Sequence, residues 1–130
     1  MYLNPITYSQ LSTGIEAHLL IVDKIGILAD LYKYAKLAYV GSGFTSGVHS
    51  VIEPAVYGCI IGHGPKFELL DEAKYMYQKR LSHLITSNSD MDKFIRLINN
   101  ENESMIKDEL NNYIIKSSGA SNKIIKGIGL

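Results

Sequence analysis

The chain is 130 residues long, so it is one small domain or part of a larger protein, and it can bury a core without a metal or disulfide staple. Apolar residues make up 46% and charged residues 20%, which fits a folded soluble domain rather than a disordered one. Its 13 Lys and Arg cancel its 13 Asp and Glu, which argues against a polyanion binder held by bulk positive charge, so no nucleic-acid partner is expected. The single cysteine, Cys59, excludes an internal disulfide and any multi-cysteine metal cluster.

Met1 to Tyr8 lacks the basic stretch and apolar core of a secretory signal. The longest apolar run is far too short to span a bilayer. His18-Leu-Leu-Ile-Val-Asp23 reads as a strand buried on both faces, with no earlier unit to pair with. Ile27 to Ala35 reads as a helix, because Leu28, Leu31, Tyr32 and Ala35 share one face. Leu37 to Val40 is a second strand, followed by the glycine-rich loop Gly41-Ser-Gly-Phe-Thr-Ser-Gly47. Ser50 to Tyr57 reads as a helix closed by Gly58, and Cys59 to Ile61 as a third strand running into the loop Gly62-His-Gly-Pro65. Further helices are expected over 67–79, around 91–98, over 106–114 and over 120–126, with a fourth strand at Ser82 to Thr86. Strands that alternate with helices predict a parallel sheet covered on both faces, part of a nucleotide-binding α/β domain. One domain spanning 1–130 is expected.

The densest candidate for chemistry is the loop after the second strand. Glycine there lets backbone N–H groups approach a phosphate at the carboxyl end of a strand. The spacing misses the dinucleotide fingerprint, because the third glycine is Gly47 and position 46 is serine. A tight turn with unusual backbone angles explains the same glycines equally well. His49 suits a place beside a phosphate or sugar, or a plain polar cap. Ser50-Val-Ile-Glu53 matches a capping box, yet Pro54 favours the first helical position and would leave Glu53 free for a sugar diol. Asp23 and Gly26 end the first strand on the same predicted rim, and Lys66 follows the third. Cys59 opens a strand and reads as core rather than nucleophile. The four histidines have no metal-ligand spacing, and neither a nucleophile elbow nor a phosphate-loop lysine motif is present.

Several short segments occur in a telling order: Ile21-Val-Asp-Lys-Ile-Gly26, Leu31-Tyr32, Ala38-Tyr-Val-Gly41, Gly47-Val-His49, Glu53-Pro-Ala55, Tyr57-Gly58, Gly64-Pro65 and Glu72-Ala73. Over about residues 8 to 126 the chain resembles the C-terminal half of the 3-deoxy-D-manno-octulosonic acid (Kdo) transferases of lipopolysaccharide synthesis, especially their Bacteroidetes-like branch. The resemblance implies half of a GT-B fold, a partial Rossmann-like parallel sheet with helices on both faces. It implies transfer of Kdo from CMP-Kdo to a lipid A precursor, at the cytoplasmic face of the inner membrane, without a metal or other cofactor. The implied donor site comprises Asp23, Gly26, Gly41, Ser42, Gly43, Gly47, His49, Ser50 and Glu53, with His49 facing the donor phosphate and sugar and Glu53 the ribose. The chain departs from the family at Ser42, where a glycine is usual, at Ser50, where asparagine is usual, and at Gly58-Cys-Ile-Ile61, which lacks the usual proline. The acceptor site and general-base carboxylate of the family lie in an N-terminal domain without a counterpart here, so no catalytic residue is assigned and the chain alone is expected to be inactive. Two other readings stay open: a GT-B transferase using a UDP-sugar, and a non-catalytic nucleotide-binding or interaction module.

Overall fold

The computed structural model describes residues 4–48, 50–99 and 103–118. The chain divides into two compact units, residues 1–31 and residues 32–130. In the first unit, β1 (Pro5–Thr7) runs parallel to β2 (Leu19–Ile21), with Ile6 opposite Leu20. The pairing differs from the expectation that the first apolar run has no partner. Burial differs too: Leu19, Leu20 and Ile21 are all exposed. A two-stranded ladder has no layer of its own to cover either face, so strand-forming side chains do not by themselves make a buried strand. A 3-10 turn (Tyr8–Gln10) leads out of β1, and α1 (Leu28–Tyr32), shorter than the periodicity predicts, spans the boundary at residue 31.

The second unit carries a three-stranded parallel sheet in the order β3 (Leu37–Val40), β4 (Ile60–His63), β5 (Ser82–Leu84). Register places Val40 opposite His63, and His63 opposite Leu84. Between the strands run α2 (Ile52–Val56) and α3 (Asp71–Gln78), then α4 (Asn88–Arg96) and α5 (Glu103–Ser118). The helix expected over 120–126 lies outside the described residues.

Strand alternation sorts the core. Val40 and Ile61 pack with Val51, Ala55, Ala73, Met76 and Leu110, so α2, α3 and α5 cover one face. Ile60 packs with Ile85 and Phe94 of the α4 side on the other. This is the predicted α/β sheet with helices on both faces. Every residue of β4 is buried, including Gly62 and His63, which were expected in a loop. Gly62 stays in the strand because a Cβ there would lie 2.7 Å from Ile85 Cδ1 and 2.9 Å from Phe94 Cζ. Its missing side chain is a packing requirement rather than a sign of a turn.

Candidate functional site

The carboxyl ends of β3 and β4 open into two loops that are tied together. Ser42 begins the first loop with φ +64, a left-handed conformation, and its carbonyl accepts the N–H groups of Thr45 at 3.1 Å and Gly47 at 3.0 Å. This closes residues 42–47 into a compact turn. The second loop holds it in place: Lys66 N donates to Gly43 O at 2.7 Å, and Val48 N donates to Lys66 O at 2.9 Å. The Lys66 ammonium donates to Thr45 O at 3.0 Å. Gly43 and Gly64 touch where the loops cross, and a Cβ on Gly43 would be 2.6 Å from Gly64 Cα. The bond network and the crossing account for Gly43 structurally. Gly41 is different: nothing lies within 4 Å of where its Cβ would be, so its backbone is open to an incoming group.

These loops wall a cleft of about 450 Å³, lined by Thr45, Ser46, Gly47, Pro65, Lys66, Glu68 and Leu69. Its size suits a small ligand. Ser50 lines a second cleft of about 300 Å³ with Val48, Leu70 and Glu72. Glu53 lines neither of these two. It sits exposed in the first turn of α2, whose N-cap is Val51, with no side-chain cap bond. The Ser50–Glu53 capping box therefore does not form. Near Glu53, burial pushes the Tyr32 phenol above its usual pKa, and the Glu53 carboxylate adds to that shift. His49 lies outside the described residues.

Asp23 and Gly26 belong to the first unit. There the Asp23 carboxylate accepts the N–H of Ser9 at 3.0 Å and the Ser9 hydroxyl, and these bonds hold its pKa below the usual carboxylate range. Asp23 thus has a local partner of its own. The loop at 86–90 has its polar groups committed: Asp90 Oδ2 accepts from Thr86 N, Thr86 Oγ1 and Ser87 N, while Ser87 Oγ accepts from Asp90 N. That is the capping box of α4. Its S-x-x-D spacing was available in the sequence as a helix-start signal.

The residue that sequence reasoning missed is His63. Flanking glycines made it look like a loop position, yet it is fully buried. Its Nδ1 lies 3.0 Å from Gly64 O and its Nε2 3.0 Å from Ser82 Oγ. A carbonyl only accepts, so Nδ1 carries the proton and the Ser82 hydroxyl donates to Nε2. Burial pushes the pKa of His63 below 6.5. Cys59 is buried as expected, its Sγ 3.5 Å from the carbonyls of Tyr32 and Ala35, with its thiol pKa raised by burial. Among the described residues no group of three or more His, Cys, Asp or Glu could hold a metal ion. No helix among them is long and apolar enough to cross a membrane.

No family model matches the chain. A bifunctional glycosyltransferase/methyltransferase of Fusobacterium nucleatum is 28% identical over 127 residues, which is 93% of this chain and 19% of that protein. A 3-deoxy-D-manno-octulosonic acid transferase of Aquifex aeolicus is 33% identical over 67 residues, 51% of this chain and again 19% of the relative. The chain thus spans about a fifth of the length of both curated relatives. Among solved structures, the C-terminal CMP-Kdo binding domain of WaaA from Acinetobacter baumannii matches with a TM-score of 0.74 over 86% of this chain and 61% of that one, at 17% identity. The chain shares that domain's fold, the C-terminal half of a GT-B architecture.

Proposed function

We propose that this chain is the donor-binding half of a glycosyltransferase that moves Kdo from CMP-Kdo to a lipid A precursor in lipopolysaccharide synthesis. The observation that carries the proposal is the pair of tied loops at the carboxyl ends of β3 and β4, in a chain related to a Kdo transferase and folded like a CMP-Kdo binding domain. In open α/β sheets this edge is where nucleotides bind.

In the reaction, an acceptor hydroxyl attacks the anomeric carbon of Kdo, the bond from that carbon to the CMP phosphate oxygen breaks, and CMP leaves with the electron pair. This half stabilises the leaving group. The open backbone at Gly41 lets N–H groups reach the phosphate, and the Lys66 ammonium, exposed at the cleft, supplies positive charge. The family resemblance assigns His49 and its chain neighbour Ser50 to the donor phosphate and sugar, and the exposed Glu53 carboxylate to the ribose hydroxyls. The proton of the acceptor hydroxyl goes to a base on the acceptor-binding half, which faces the inner membrane from the cytoplasm.

The wider match to the Fusobacterium protein supports the coarser version, glycosyl transfer, and a transferase using a UDP-sugar is the second reading. Donor titration separates the two: tighter binding of CMP than of UMP supports Kdo transfer, and the reverse supports a UDP-sugar. Turnover of CMP-Kdo with a lipid A precursor by these 130 residues alone would contradict the division of labour, because one wall cannot orient both substrates.

A further inference from the structure

We infer that His63, fully buried at the end of β4, is the positioning residue of the donor cleft: it holds the Gly64 carbonyl and so fixes the crossing of the two loops. The role in donor binding rests on the reading above; the role in loop geometry does not. The ring is clamped from several sides. Nδ1–H donates to Gly64 O, Ser82 Oγ–H donates to Nε2, and the ring packs against Phe67 at 4.7 Å and Tyr77 at 6.4 Å between centroids. The carbonyl it holds belongs to the peptide that joins Gly64 to Pro65, where the second loop enters the cleft wall.

The far side of Gly64 leaves no slack. A Cβ there would stand 2.8 Å from Gly43 C and 2.9 Å from Gly43 Cα. Two residues on, Lys66 N reaches Gly43 O and Lys66 O receives Val48 N. A rotation of the 64–65 peptide would therefore shift Lys66 and both of its bonds to the glycine loop. Of the two ring nitrogens, Nδ1 restrains that peptide, and Nε2 anchors the ring to β5.

The two nitrogens can be separated by substitution. In His63→Asn the amide nitrogen hangs from Cγ, as Nδ1 does, and can still donate to Gly64 O. In His63→Gln the amide lies one bond further out and replaces the contact to Ser82 instead. Both lose the same aromatic packing, so a purely structural role moves them together. The experiment is amide hydrogen exchange on the ligand-free protein, beside CMP titration of the same samples. In His63→Gln, the amides of Lys66 and Val48 should exchange roughly tenfold faster, the loss of one buried hydrogen bond. The amide of Ile85, bonded to His63 O just past the end of β5, should keep its rate relative to the rest of the core. His63→Asn should stay near the wild type at all three, and CMP affinity should follow the same order. Equal rates in the two variants, or an increase spread evenly over Ile85, Lys66 and Val48, would overturn the inference. If CMP binds neither variant nor the wild type, the donor reading fails, and the exchange at Lys66 still decides the role of His63. Should neither variant fold, nitrogen-15 spectroscopy of the wild-type imidazole at about pH 8, where a histidine is neutral, serves instead. A ring protonated on Nδ1 is the expected signature, and an Nε2 proton would overturn the assignment.

Discussion

Gly43 and Gly64 cross with their backbones in contact, and a side chain on either one has nowhere to go: a Cβ on Gly43 would meet Gly64 Cα and N at 2.6 Å. The atoms in the way are backbone, so relief requires moving a loop. Gly43→Ala should therefore destabilise the protein by about 1–3 kcal/mol, the cost of overpacking. Gly41→Ala, two residues away and open to solvent, should stay within about 0.5 kcal/mol. Denaturant melts of the two variants check this. Equal losses would mean that the loops do not cross as described.

Among the described residues, two non-glycine residues sit in the left-handed region: Ser42 at φ +64 and Arg80 at φ +59. Arg80 ends α3, with its N–H on Tyr77 O and the next N–H, of Leu81, on Met76 O, the bonding of a glycine-type helix stop. Arg80→Gly should raise stability by about 1 kcal/mol by removing Cβ strain. Ser42→Gly should do the same, and it restores the residue usual in the resembled family. A melting temperature lower than the wild type for Arg80→Gly would show that the arginine side chain supplies a contact worth more than the strain.

The pH dependence follows from His63. Burial lowers its pKa from 6.5 in the folded protein. In the unfolded chain the ring takes up a proton near 6.5, and in the folded one it resists. The unfolded state therefore binds more protons as pH falls through that value, so stability drops below about pH 6.5 and is flat just above it. His83, with a pKa also lowered by burial and by the nearby His63, works in the same direction. Melting temperatures between about pH 5 and 8 should show the drop in the wild type and a shallower one in His63→Gln, which has lost one of the two groups. Parallel curves would remove His63 as a source.

Much of this was legible before the structure, and the exceptions share a cause. The runs Leu37–Val40 and Ser82–Thr86 announce strands because short apolar stretches there end at turn formers, Gly41 and Ser87-Asn88, and the second strand forms over Ser82–Leu84 only. β1 was missed because a three-residue strand starting at Pro5 has neither the length nor the alternation to stand out. His63 was placed in a loop because Gly62 and Gly64 look like punctuation. In fact one glycine makes room for Ile85 and Phe94 and the other for Gly43, and such close approaches are set by partners distant in sequence. Likewise the capping-box pattern occurs at Ser50–Glu53 and at Ser87–Asp90, and only the second forms. At the first, Val51 takes the N-cap position and Pro54 falls inside the helix, so spacing alone cannot choose between them.

Glu53 has no capping duty, so its charge can be removed cheaply. Glu53→Gln should leave stability within about 0.5 kcal/mol of the wild type, as for an exposed site. If its carboxylate accepts the ribose hydroxyls, CMP affinity should fall roughly tenfold, the worth of a charge-assisted bond. Glu53→Gln with an unchanged melting temperature and an unchanged affinity would take Glu53 out of the donor site.

The central claim is that the two tied loops bind the donor nucleotide, and calorimetric titration of the 130-residue protein with CMP and with UMP tests it most directly. The account predicts saturable binding of one CMP per chain, at least about tenfold tighter than UMP, a difference of about 1.4 kcal/mol. A protein that melts cooperatively yet takes up neither nucleotide, or that holds UMP as tightly as CMP, would contradict it.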